Sequence, residues 1–227
     1  MNKALDNLLY WLKWPAALLA LVALPGLVIT WLENILRPDD VDPWLPILAG
    51  VIGYALLWGA IFSRREAGSF LPTFFHELSH VFAAVCTFHR VGDLRAGWSS
   101  GGRVTIYGGT NWVILLAPYF LPIAPILGAA WLIMGPEEWR QLSLCGFGAT
   151  MAFYVFSLRS DIHTQQTDLQ EVGFLFAWCF LPSANLLVLG GLLTWVVGGT
   201  TNATNFIVEA YDVTVMSVDW LVSKTSH

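Results

Sequence analysis

Charge is what this 227-residue chain has least of. Asp, Glu, Lys and Arg together make 12% of it, about half the share found in a soluble domain. No basic run exceeds Arg64-Arg65 and the net charge is −5, which excludes the basic footprint that nucleic-acid binding requires. Cysteine is scarce as well. Cys86, Cys145 and Cys179 stand alone in separate apolar stretches, with no C-x-x-C. That leaves neither a disulfide framework nor a thiolate zinc site. No repeat or low-complexity segment divides the chain, so it reads as a single domain over 1–227.

What the chain has in abundance is apolar residues, 56% of the total. Several windows of about 18 residues or more are nearly free of charge, the signature of membrane-spanning helices. The expected fold class is an all-α polytopic membrane protein embedded in a lipid bilayer. Its six apolar segments fall at about 14–36, 44–63, 71–88, 111–134, 139–158 and 171–198. The long apolar run after Lys3 and Lys13 reads as an uncleaved first span, not as a signal peptide.

Two regions read differently. Residues 89–110 carry a Ser99-Ser100-Gly101-Gly102 turn signal and the β-branched, aromatic stretch "RVTIY" at 103–107, a pattern that predicts a β-hairpin. In 203–222, Phe206, Ala210, Val213 and Trp220 recur at helical spacing, with Glu209, Asp212 and Asp219 elsewhere. This predicts an amphipathic helix, on the membrane surface or packed on the bundle. The protein core is then expected at about 70–198. The loop "RPDDVDPW" is acidic and "SRREAG" is basic, which orients the second loop toward the cytoplasm.

The polar residues of the third segment are the informative ones. "HELSH" at 76–80 places His76, Glu77 and His80 in the order H-E-x-x-H inside an apolar run. Residues four apart share a helix face, so His76 and His80 can bind one metal ion. Zinc suits imidazole and is redox-silent. Glu77 stands where it can reach the water that zinc activates, as general base and then acid. Two histidines and a glutamate in a membrane segment are costly unless functional.

Two ligands leave zinc short of the usual three. The continuation H-E-x-x-H-x-x-G-x-x-H fails, because Ala83 and Cys86 occupy the glycine and third-histidine positions. Cys86 reads as a core residue. The densest remaining acid and histidine cluster is Asp161, His163, Asp168 and Glu171. Asp168 is the first choice for third ligand, with Asp161 and His163 in reserve. An acid favoured by a helix N-terminus is the plainer explanation of Asp168.

The motif residues at 76–80, the hairpin-like stretch and "TDLQEVG" at 167–173 resemble the site-2 protease class of intramembrane zinc metalloproteases, peptidase family M50, particularly its M50B-like members. The resemblance covers roughly 70–190. It implies one zinc per chain and hydrolysis of peptide bonds in or near the membrane-spanning segments of a membrane-protein substrate. It further implies a multi-pass protein of the bacterial cytoplasmic membrane and an asparagine near the metal, for which Asn111 and Asn185 are the choices. An edge strand such as 103–107 could hold an unwound substrate by β-addition. The alternatives are a protease-like scaffold without activity and a metal transporter. The intact H-E-x-x-H opposes the first and the scarcity of ionisable residues in the other spans opposes the second.

Simple alternation of spans conflicts with this ligand set. His76 enters near one face, and two further full spans would carry Asp168 to the other. Either 111–134, with Pro118, Pro122 and Pro125, is a re-entrant pair of half-helices, or 89–110 crosses part of the membrane, or Asp168 is not the ligand.

Overall fold

The protein, seen in a computed structural model, is described over residues 2–36, 41–61, 67–97 and 101–225. The element order is α1 (Asn2–Leu36), α2 (Trp44–Ala60), α3 (Ala67–Cys86), β1 (Arg90–Ala96), β2 (Gly102–Tyr107), α4 (Trp112–Phe120), α5 (Ile123–Met134), α6 (Arg140–Asp161), α7 (Thr167–Val172) and α8 (Phe174–Thr225). Parts of the two loops used for orientation, 37–40 and 62–66, and of the turn at 98–100 lie outside the described residues.

Helix length and composition support only some of the six expected spans. Among the described residues three helices, within α1, 137–161 and α8, are long and apolar enough to cross a membrane, or four if the bent α4–α5 pair is one span. At 17 residues α2 stands at the lower end of the length that a bilayer asks for. The polar residues His76, Glu77, Ser79 and His80 dilute the apolar character of α3.

The expected hairpin is present. β1 and β2 pair antiparallel in the register Arg90↔Tyr107, Leu94↔Val104 and Ala96↔Gly102, with an irregularity between Val91 and Leu94. The chain enters it through a tight corner. Phe88 adopts a left-handed φ of 59°, while the Phe88 and His89 amides donate to the Val85 and Ala84 carbonyls. This is a Schellman closure of α3 without the usual glycine. The hairpin then doubles back along α3: Val91 and Ile106 pack on Ala83 and Ala84, and Gly102 abuts Glu77 and Thr73.

The 111–134 segment is broken, as one of the alternatives expected. Asn111 caps α4 by accepting from the Val113 and Ile114 amides, and α4 and α5 meet at a 63° bend. Pro122 lacks the N–H that would continue α4, and the Ile123 amide turns to Leu121 O instead. The Tyr119 carbonyl freed by this break is taken by Asn185 Nδ2 at 2.7 Å, which satisfies a group that could not be left bare at membrane depth.

α8 is two arms. Gly198 and Gly199 have non-helical dihedrals, Gly199 with φ 72°, a conformation that glycine adopts without a Cβ penalty. The first arm, 174–197, runs parallel to α1, with contacts advancing along both: Trp14 to Phe176, Ala20 to Ser183, Trp31 to Gly190. The second arm, 200–225, returns. Phe206 packs on Gly190, and Ala210 and Thr214 press on Gly26. The predicted helix of 203–222 therefore packs on the bundle, with Phe206 and Ala210 buried against Leu27.

α2 and α6 cross with their backbones in contact. A Cβ on Gly148 would overlap the Ile47 carbonyl, and one on Gly50 would overlap that of Cys145, the close approach that small residues permit between membrane helices. Gly148→Val should cost about 1–3 kcal/mol through forced separation of the pair. Gly146→Ala, where a Cβ meets nothing, should be near neutral. Thermal unfolding in detergent compares the two.

Candidate metal centre

Three elements converge on one point. α3 supplies His76 and His80, one turn apart on its inner face. α7, a six-residue turn between α6 and α8, supplies Asp168 in its first turn. Asp168 Oδ2 lies 3.4 Å from His76 Nε2 and 3.3 Å from His80 Nε2. The three ligand atoms all fall within 4.8 Å of one another. For tetrahedral zinc with bonds of about 2.0–2.1 Å the ligand–ligand edge is roughly 3.3–3.4 Å, so the residues present fit that ion.

The outer nitrogen of each ring is occupied. His76 Nδ1 faces Asp161 Oδ2 at 3.1 Å, and His80 Nδ1 faces the Ile114 carbonyl at 2.8 Å. The carbonyl can only accept, so His80 carries its proton on Nδ1 and presents a bare Nε2. A carboxylate does the same for His76. Such partners orient a ligating ring and raise its basicity. Asp161 thus meets His76 at the ring nitrogen opposite Nε2, outside the converging set.

Tyr119, on α4, sets its hydroxyl 3.5 Å from Asp168 Oδ2 and its ring edge-on to His76, with centroids 5.5 Å apart. Sequence reasoning passed over this residue. The available signal was a tyrosine in an apolar half-helix between Pro118 and Pro122.

A cavity of about 680 Å³ opens on the cluster, and His76, Glu77, His80, Asp161 and Asp168 line it together with β2. Glu77 is 9% exposed, and the Val104 amide of β2 faces its carboxylate.

The other sequence-selected residues lie elsewhere. Asn111 is absent from the cavity lining; its side chain caps α4 and donates to Asp6 Oδ1 at 2.8 Å. Asn185 lies behind Tyr119, donating to Tyr119 O and Leu181 O and accepting from the Tyr154 hydroxyl. His163 is exposed in the α6–α7 turn, where its Nδ1 accepts from the Gln165 amide. Glu171 accepts from Thr110 and ties α7 to the start of α4.

Replacing Asp161 by Asn should weaken zinc binding by roughly 10–100-fold, whereas His163→Ala should leave it unchanged. Chelator competition on the purified protein measures both.

No curated protein and no solved structure matches this chain. A family model does: that of the Peptidase M50B-like family aligns with residues 47–211. The match takes in α3, the hairpin, α4 to α7 and most of α8, and with them every residue of the converging cluster. Its extent, well over half of the chain, and the apolar helices agree on a membrane protein. The chain belongs to the M50B-like peptidase family.

Proposed function

We propose that the chain is an intramembrane zinc peptidase, a single integral unit that hydrolyses peptide bonds in or near the membrane-spanning segments of other membrane proteins. The observation that carries this reading is the convergence of His76 Nε2, His80 Nε2 and Asp168 Oδ2 beside Glu77 in one cavity. These three atoms would hold one zinc ion. When bound, zinc supplies Lewis acidity that polarises a carbonyl and brings the pKa of water toward ~7.

The remaining steps fall to the chain. Glu77 takes a proton from the attacking water as its oxygen adds to the scissile carbonyl carbon. It then delivers that proton to the amide nitrogen as the C–N bond breaks, leaving a carboxylic acid and an amine. The Val104 amide facing Glu77 keeps the carboxylate aimed into the cavity. β2 lines the same cavity, which supports its use as an edge for an extended substrate strand. A helical substrate hides its carbonyls in hydrogen bonds, so an extended binding mode exposes the bond to be cut. The basic loop after α2 supports a site nearer the cytoplasmic face, and the family resemblance alone points to a bacterial membrane.

Purified wild type should carry about one zinc per chain. Asp168→Ala should lose it. Glu77→Gln should keep both fold and zinc while cleavage of a reporter membrane-spanning peptide falls by roughly 10²–10⁴. Undiminished cleavage by Glu77→Gln would remove Glu77 from the chemistry. Zinc without turnover in the wild type would favour the scaffold reading.

A further inference from the structure

The first four turns of α1 carry no residue of the metal cluster and precede the 47–211 stretch that matches the family. They nevertheless touch both halves of the cluster. Asp6, Leu9 and Lys13 fall at i, i+3 and i+7, on one helix face. That face is half-buried, while Lys3, Leu8, Tyr10, Trp11 and Leu12 are exposed.

Asp6 and Leu9 hold the α4 half. Asp6 Oδ1 accepts from Asn111 Nδ2 at 2.8 Å, and its other oxygen faces Nε2 of the buried His89 at 3.3 Å. The Leu9 carbonyl accepts from Trp112 Nε1 at 2.7 Å. Asn111 in turn caps α4 through the Val113 and Ile114 amides, and the Ile114 carbonyl fixes the His80 ring. Lys13 holds the other half. Its ammonium donates to Val172 O, at the C-terminal end of α7, at 2.7 Å and lies 5.1 Å over the Phe176 ring. Asp168 stands on the first turn of that same short helix, one turn from the carbonyl that Lys13 caps.

We infer that Asp6 and Lys13 are positioning residues, an N-terminal brace that sets the separation between His80 on α3 and Asp168 on α7. The physical ground is the shortness of what they hold. α7 has six residues and α4 nine, so neither has length enough to fix its own attitude. Both are pinned at one end by a charged side chain from a single helix of 35 residues. Charge-assisted bonds to a helix cap and to a helix C-terminus are the strong form of such a tie.

The inference rests on the metal reading, and the test separates the two. Full-length wild type, Asp6→Ala, Lys13→Met, Lys13→Arg and the exposed-site control Lys3→Gln are purified in detergent. Zinc affinity is measured by chelator competition, and the visible absorption of the cobalt-loaded forms is recorded. Asp6→Ala and Lys13→Met should each bind zinc about tenfold more weakly, with altered cobalt bands, while Lys13→Arg and Lys3→Gln stay within about twofold of wild type. Zinc in the wild type with unchanged affinity and cobalt spectra in both variants would overturn the brace alone. Loss of helical circular dichroism in both variants would also overturn it, by making α1 a general stability element. A wild type that binds no zinc would overturn the metal reading beneath it.

Discussion

Two imidazole rings have to present bare Nε2 lone pairs beside one carboxylate oxygen, all three aimed at a point that a metal ion could occupy, and this requirement orders the rest of the molecule. A ring free to rotate or to change tautomer could turn an N–H toward the ligand point. Here neither ring is free. Asp161 meets the outer nitrogen of His76 and the Ile114 carbonyl meets that of His80. Because one partner sits at the end of α6 and the other in the first turn of α4, the ligand geometry is a readout of how those two helices are placed against α3.

Their placement depends on the break after Phe120. α4 runs antiparallel to α3, from Ile114 beside His80 to Tyr119 beside His76, and is then stopped by Pro122. Nine residues cover only about 13 Å, well short of the ~30 Å of a bilayer's hydrocarbon core. α5 leads away and α6 returns to set Asp161 against His76. His76 and Asp168 meet because α4 is broken short, α5 leads away and α6 comes back to α3. The break exposes a carbonyl, and Asn185, with its own oxygen bonded by Tyr154, closes it. A polar side chain in a membrane helix thus serves the fold at one remove from the metal cluster.

Much of this was legible in the chain. The H-E-x-x-H spacing placed His76 and His80 on one helix face, the turn residues and "RVTIY" marked the hairpin, and three prolines marked the bend. Asp168 was selected as an acid that a short ligand set needed, and the structure brings it within 3.4 Å of both rings. The asparagines were legible only as polar residues in apolar runs. Which of their hydrogen-bonding groups faces a cavity and which faces a helix end depends on neighbours more than 60 residues away, such as Tyr119 for Asn185. The span count is supported only in part, for a related reason. Hydropathy reports apolar character, but not whether lipid or protein covers it, and not that α2 ends after 17 residues.

By itself, then, the sequence determined that the chain is that of a membrane protein, that two histidines with metal-ligand spacing sit on one turn of one helix, and where the backbone must turn or break. Those are consequences of local composition and spacing, set by the helical period and by the backbone limits of proline and glycine. Tertiary structure alone decided which acid joins the pair and which acid stands behind it. It also decided that Tyr119 belongs to the site, and that Asp6 and Lys13 reach both halves of it. Asp161 and Asp168 are seven residues apart and alike in chemistry. What separates their roles is that α6 delivers one to Nδ1 and α7 the other to Nε2 of the same imidazole, a distinction of a few ångströms that no spacing rule contains.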